Sequence, residues 1–167
     1  HGIWLDDADK RLLQERGAQI AHSPSSNLFL GSGLFDWRGA PFNVSLASDV
    51  GGGTSLNLLR NAQDAYKIQA LRGERLTAWA ALHAATRGAA EALQLGQEIG
   101  GLAVGQTADL CVWDWAVGEV AQARDAAARE LHERVFAWMT LADERNLAAV
   151  YVAGKVVGKG AGRLRLD

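Results

Sequence analysis

The stretch "SLASDVGGGTSLNLL", residues 45–59, places one aspartate and three glycines where an apolar run stops. The residues before Asp49 predict a β-strand, and those after the glycines predict a helix. In parallel α/β folds, ligands bind at the carboxyl ends of the strands, so Asp49 stands where a functional carboxylate is expected. Alternatively, Asp49 caps the next helix and the glycines form a turn. A phosphate loop is disfavoured, because neither a P-loop lysine nor GxGxxG spacing follows.

The pattern on both sides of this stretch alternates between helix and strand. Such alternation favours an α/β fold with a parallel sheet and helices outside it. A closed eight-stranded barrel typically takes about 250 residues, so these few strands would form only part of one. We predict strands within residues 18–24 and 42–48, helices within 5–17, 55–71 and 77–94, and a long loop over 23–41.

The pattern changes near residue 98. The segment "IGGLAVGQTADLCVWD" contains short β-like runs separated by glycines, and a helix is predicted over 121–144. The segment "AAVYVAGKVVG" then predicts two short strands around a Gly-Lys turn. We therefore expect two parts, residues 1–97 and residues 98–167.

Composition excludes several classes of function. The net charge is −2 with both signs spread along the chain, which argues against a nucleic-acid or anionic lipid partner. No apolar run approaches the roughly 20 residues that a membrane helix needs. The single cysteine, Cys111, is expected to be a buried core thiol, which fits a reducing, cytoplasmic setting. The chain opens with His1 instead of methionine, so we interpret it as processed or as a piece of something longer.

Four histidines and one asparagine are candidate functional residues. His1 precedes a glycine and a helix, and a terminal histidine is usually solvated. His22 closes a strand, where a histidine can line a site or cap a loop. Asn27 follows it, and its usual role is to hydrogen-bond loop backbone. His83 and His132 lie within predicted helices as ordinary surface or packing residues. Without HxH, HExxH or CxxC spacing, no self-contained metal site is predicted.

Three segments together resemble the amidohydrolase superfamily and, within it, the guanine deaminases. They are "HGIWLDDADKRLLQERGAQIAHSPSSNLFLGSGLF", "ASDVGGGTSLNLL" and "LADERNLAAVYVAGKVV". The resemblance implies a zinc enzyme on a (β/α)8 (TIM) barrel with a small β-sandwich domain. It identifies residues 1–97 with the last strands and helices of the barrel. Residues 98–167 would be a C-terminal segment with β-sandwich strands and a helix.

The resemblance also implies roles for individual residues in the conversion of guanine and water to xanthine and ammonia. Asp49 would bind one Zn²⁺ and shuttle a proton from the attacking water. His1 would hydrogen-bond the attacking hydroxide. His22 and Asn27 would support the site from behind, and the glycines, Gly51 among them, would keep the loop close to the substrate. The family's other zinc ligands and its purine clamp precede this sequence, so the chain is expected to be the C-terminal part of the enzyme.

Three interpretations stay open on the sequence. The first is a guanine deaminase with a purine substrate, no nucleic-acid or membrane partner, and a homodimeric full-length form. The second keeps the superfamily but changes the substrate to another aminopurine, an adenosine derivative or a triazine. The third is a non-catalytic fragment.

Overall fold

The structure is a computed structural model that describes residues 1–159. Within that range, no helix is both long and apolar enough to cross a bilayer. The helices are α1 (Asp7–Glu15), α2 (Pro24–Phe29), α3 (Leu58–Leu71), α4 (Ala78–Ala85), α5 (Arg87–Ala92), α6 (Glu119–Ala127) and α7 (Leu131–Leu141). The strands are β1 (Ile20–His22), β2 (Val44–Leu46), β3 (Leu110–Trp113), β4 (Leu147–Val152) and β5 (Lys155–Lys159).

The strands β1 and β2 pair in parallel, with Ile20 opposite Val44 and His22 opposite Leu46. This confirms the parallel pairing predicted from the alternation of elements. All three residues of β2 are buried, and α4 and α5 pack against that strand. Because parallel strands end at the same edge, the residues after His22 and after Leu46 come together on one side of the sheet.

The core lies between β2 and the helices α3, α4 and α7. Leu46 from the strand belongs to one buried cluster with Ala65 of α3, Ala81 of α4 and Met139 of α7, and all four are nearly or fully buried. Small alanine side chains allow the helix backbones to approach the sheet closely, so little space is left for larger residues. The helix α7 therefore packs against elements of the first 97 residues.

The second sheet is antiparallel, in the order β3-β4-β5. The hairpin between β4 and β5 turns at Ala153 and Gly154, with φ values of 49° and 75°. Two successive positive φ angles are typical of the type I′ turn that two-residue hairpins favour. The turn thus lies one residue earlier than the predicted Gly-Lys pair.

Three predicted element boundaries were wrong. The expected loop over 23–41 contains α2, which begins at Pro24 because proline is pre-organised for the first helical position. The expected helix over 77–94 is broken at Thr86, whose backbone is not helical and whose hydroxyl donates to the Leu82 carbonyl at 2.7 Å. The expected helix over 121–144 divides into α6 and α7, because Ala128 is extended.

The prediction of a buried Cys111 was also wrong. The thiol is exposed on β3, which lies at one side of the three-stranded sheet. Alternate residues of a strand point to opposite faces, so an apolar run of four residues does not bury every side chain. Partial desolvation nevertheless raises the pKa of the Cys111 thiol.

Candidate functional site

Asp49 follows β2 in a tight turn. Its φ angle is 45°, and its carbonyl accepts a hydrogen bond from the Gly53 backbone amide. The next helix, α3, is capped by Asn57, whose Oδ1 accepts from the Leu59 amide at 2.9 Å. The alternative of Asp49 as the cap of that helix was therefore wrong. The Asp49 side chain is 42% exposed, so its carboxylate is available to a ligand.

His1 lies against Asp49. Its Nε2 is 3.4 Å from Asp49 Oδ2, and its Nδ1 is 2.7 Å from Asn27 Oδ1. An amide oxygen only accepts hydrogen bonds, so Nδ1 carries a proton when it contacts Asn27 in this orientation. A second proton on Nε2 would complete an ion pair with the carboxylate. His1 thus bridges the turn after β2 and the helix after β1.

Asn27 connects His1 to a buried histidine. Its Nδ2 is 3.4 Å from Nδ1 of His22, which makes Nδ1 of His22 the acceptor and leaves the His22 proton on Nε2. Both residues are about 1% exposed or less. His22 stacks on Phe35, with ring centroids 4.5 Å apart.

Burial sets the charge of His22. It lowers the pKa of the imidazole from 6.5 to about 3. His22 is therefore neutral at physiological pH. Its Nε2 has no hydrogen-bond partner among residues 1–159.

The three glycines after Asp49 meet different constraints. Gly51 has a φ of 120°, and a Cβ there would meet nothing within 4 Å. A Cβ at Gly52 would lie 2.8 Å from Ser26 Oγ and 3.2 Å from Asp49 Oδ2. A Cβ at Gly53 would run into the Ser48 carbonyl oxygen. Backbone conformation thus favours glycine at 51, whereas close contacts favour it at 52 and 53.

The described residues supply part of a metal site. A carboxylate oxygen and an imidazole nitrogen are both ligands that zinc accepts. Asp49 and His1 offer these donors side by side, but residues 1–159 contain no group of three His, Cys, Asp or Glu side chains that could hold a metal ion. Further donors would have to come from outside these residues.

The structure brings together His1, His22, Asn27 and Asp49, which the sequence analysis had singled out. His83 and His132 are not part of this group and lie on the helices α4 and α7, as expected. Sequence reasoning missed Ser26 and Phe35, which lie beside these residues. For Ser26 a signal existed, because a proline at residue 24 indicates a helix start and makes Ser26 the third residue of that helix.

The chain matches known proteins over nearly its whole length. Residues 1–157 match the model of the Amidohydrolase family. A guanine deaminase of Escherichia coli (strain K12) is 36% identical over 160 residues, which cover 94% of this chain and 36% of that protein. The chain thus spans little more than a third of the length of this relative.

Solved structures of deaminases are also similar to this chain. The structure of E. coli guanine deaminase superposes with a TM-score of 0.93 at 36% identity, covering 95% of this chain and 38% of that one. An adenosine deaminase from Xanthomonas campestris with bound zinc superposes with a TM-score of 0.80 at 27% identity, covering 100% of this chain and 38% of that one.

Proposed function

Because the chain belongs to the amidohydrolase family, we propose that it is the C-terminal part of an enzyme that hydrolyses guanine to xanthine and ammonia. Similarity to a guanine deaminase over 94% of the chain supports this substrate. The observation that supports the proposed site is the contact between His1 and Asp49, because it joins an imidazole and a carboxylate beside the turn that follows the parallel strand β2.

The proposed architecture is the C-terminal portion of a (β/α)8 barrel over residues 1–97 and a β-sandwich segment with a helix over 98–167. The parallel pairing of β1 with β2 supports the first part. The antiparallel sheet of β3, β4 and β5 supports the second, of which residues 160–167 lie outside the described range.

The proposed cofactor is one zinc ion, with Asp49 as a ligand and the remaining ligands upstream of this chain. When bound, zinc lowers the pKa of a water ligand to about 7, so that a nucleophile is available at neutral pH. The donor chemistry and the exposure of the Asp49 carboxylate fit this role.

The residues of this chain would transfer protons and orient the attacking water. In the net reaction, the water oxygen bonds to the ring carbon that bears the amino group and becomes a carbonyl oxygen, and the carbon–nitrogen bond breaks to release ammonia. One water proton leaves with the ammonia, and the other ends on the adjacent ring nitrogen of xanthine. The Asp49 carboxylate would take a proton from the water and pass it to the leaving amine. His1 would direct the attack by hydrogen bonding, since a fixed geometry lowers the entropic barrier. Asn27 and His22 would hold the His1 ring, and Gly51 would keep the turn open beside the substrate.

A second candidate keeps the superfamily and changes the substrate to an adenosine derivative, another aminopurine or a triazine. The similarity to the X. campestris adenosine deaminase favours it. Ammonia release by the longer enzyme should be measured with guanine and adenosine, and chloride release with a chlorotriazine. We expect kcat/KM for guanine to exceed the others by about 10²-fold or more, as is usual when a site hydrogen-bonds the exocyclic groups. Hydrolysis of adenosine without hydrolysis of guanine would move the assignment to this candidate.

The 167-residue chain by itself is expected to be inactive and to bind zinc weakly, because Asp49 and His1 do not make a three-ligand site. Elemental analysis after dialysis tests this, and stoichiometric, tightly held zinc would contradict it. The longer enzyme is proposed to be a homodimer, and sedimentation analysis would test its oligomeric state. It is also proposed to be cytoplasmic.

A further inference from the structure

Gln69, near the end of α3, is a buried amide that contacts backbone far from it in the chain. The residue is 2% exposed. Its Nε2 donates to the Phe35 carbonyl at 2.9 Å, and its Oε1 accepts from the Trp37 backbone amide at 3.4 Å. Because only the nitrogen of the side chain donates and only its oxygen accepts, the opposite orientation of the amide would lose both contacts. Gln69 therefore holds the backbone of residues 35–37 against α3.

Segment 35–37 carries two aromatic rings that contact His22. The Phe35 ring stacks on the imidazole, with centroids 4.5 Å apart and planes at 27°. The Trp37 ring meets the same imidazole in a T-shaped arrangement, with centroids 6.0 Å apart. Since both rings project from the segment that Gln69 holds, a shift of that segment would move both of them relative to His22.

Polar contacts continue from His22 to the proposed site. Nδ1 of His22 accepts from Asn27 Nδ2 at 3.4 Å, and Asn27 Oδ1 accepts from Nδ1 of His1 at 2.7 Å. Within the described part of the chain, Nε2 of His22 has no hydrogen-bond partner. The rotation of the His22 ring is thus set by one polar contact and by the aromatic rings packed on it.

A second support of segment 35–37 lies nearer the surface. Asp36 Oδ2 is 3.4 Å from Lys10 Nζ, and Asp36 Oδ1 is 3.3 Å from Arg72 Nη2. All three side chains are partly exposed, and ion pairs in contact with solvent contribute little to stability. The buried contacts of Gln69 are therefore the stronger restraint on the segment.

We propose that Gln69 is a positioning residue for His1. It holds segment 35–37, whose rings hold His22. His22 in turn supports Asn27, which orients His1 toward the reacting water. A displacement of about 1 Å that originates far from the chemistry can cost about 10²-fold in rate, so indirect support of this kind affects turnover. This inference rests on the proposed role of His1.

The test compares Gln69→Leu with Gln63→Leu in the longer enzyme. Gln63 is a matched control on the same helix, because its Nε2 donates to the Met139 carbonyl at 3.1 Å and so ties α3 to α7 instead of to segment 35–37. We expect Gln69→Leu to lower kcat for guanine by about 10–100-fold, with KM near that of the wild type. Gln63→Leu should lower the melting temperature and leave kcat unchanged.

Nitrogen NMR of the histidine-labelled enzyme measures the same effect without turnover. In the wild type, His22 should show a single neutral tautomer with its proton on Nε2, because Asn27 donates to Nδ1. Gln69→Leu should give a mixture of both tautomers, since the ring is no longer held in one rotation. Gln63→Leu should keep the single tautomer.

Two further variants separate positioning from general damage. Phe35→Leu keeps the backbone contact of Gln69 and removes the stacked ring, so it should reproduce both effects and replaces Gln69→Leu if that variant does not fold. In an Asn27→Ala background, Gln69→Leu should lower kcat little further, because both changes release the same His1 ring.

A wild-type kcat or a single His22 tautomer in Gln69→Leu would overturn the proposal, as would an equal loss of kcat in the Asn27→Ala background. A wild-type enzyme that leaves guanine intact would refute the proposed function alone, because the NMR comparison of Gln69→Leu with Gln63→Leu would still decide whether Gln69 positions His22.

Discussion

The Nδ1 of His1 and the Oδ1 of Asn27 are 2.7 Å apart, although 26 residues separate them in the chain. This hydrogen bond fixes the rotation of the His1 ring and thereby directs Nε2 toward Asp49, 3.4 Å away. Asn27 is in turn held by buried His22. The orientation of a surface histidine therefore depends on a polar contact that continues into the interior.

Removal of the Asn27 amide should release His1. In the longer enzyme, we expect Asn27→Ala to lower kcat for guanine by about 10–100-fold with little change in KM, the range seen when an outer partner of a reactive group is lost. Steady-state kinetics test this. Asn43→Ala is the control, because Asn43 also makes two side-chain hydrogen bonds but to Gln19 and Gly88. A normal kcat in Asn27→Ala would show that His1 needs no such support.

Substitution of Asp49 by asparagine should abolish deamination without unfolding the enzyme. The amide is nearly isosteric, and the turn after β2 depends on backbone contacts of Asp49 that asparagine can keep. Asparagine cannot shuttle a proton, which typically costs about 10²–10⁴ in rate. Ammonia release and circular dichroism measure the two effects. Near-normal turnover would mean that the carboxylate serves only the turn.

Buried His22 should make the folded state sensitive to acid. Its folded-state pKa of about 3 lies below the 6.5 of the exposed group, so the unfolded chain binds the proton first as the pH falls. Stability is therefore fully present above pH 6.5 and is lost between 6.5 and 3, by up to about 1.4 kcal/mol per pH unit. Denaturant unfolding of the enzyme across this range should show a shallower pH dependence in His22→Gln than in the wild type.

Exposed His132 is the matched control for that measurement. It lies on α7 with a side chain that is 60% exposed and 3.2 Å from Glu130 Oε2, so His132→Gln removes a histidine at the surface and leaves the buried one in place. Equal pH profiles for wild type and His22→Gln would show that His22 is not the group responsible.

The 167-residue chain studied alone should self-associate. Large apolar side chains are exposed at Trp4, Phe29, Leu30 and Leu56, with exposures of 84%, 68%, 63% and 75%. Within residues 1–159, β1 and β2 also form a sheet of only two strands, so each has a free edge. Analytical ultracentrifugation over a concentration series measures this. A monomer at all concentrations would mean that these residues form a self-sufficient domain.

Local patterns in the sequence predicted most elements but not their interruptions. The sequence around β1, β2 and α3 was sufficient to predict these elements, because each segment is an apolar or periodic run with clear end signals. The break at Thr86 was not predictable, since alanine-rich sequence on both sides favours helix. Two residues after the break, a Cβ at Gly88 would lie 2.7 Å from His83 Nδ1, so the end of α4 and the start of α5 are in close local contact.

The sequence by itself determined that Asp49 and three glycines follow the strand β2. It also determined that His1 precedes the strand β1 and that His22 ends it. Tertiary structure alone decided which of these groups meet. The parallel pairing of β1 with β2 sets their carboxyl ends at one edge, and only then do His1, Asn27 and Asp49 come within contact distance. It also decided that Asn57 and not Asp49 caps α3, and that the Ser26 hydroxyl lies so close to Gly52 that a side chain there would not fit. Such contacts depend on distances between segments far apart in the chain, which local periodicity does not encode.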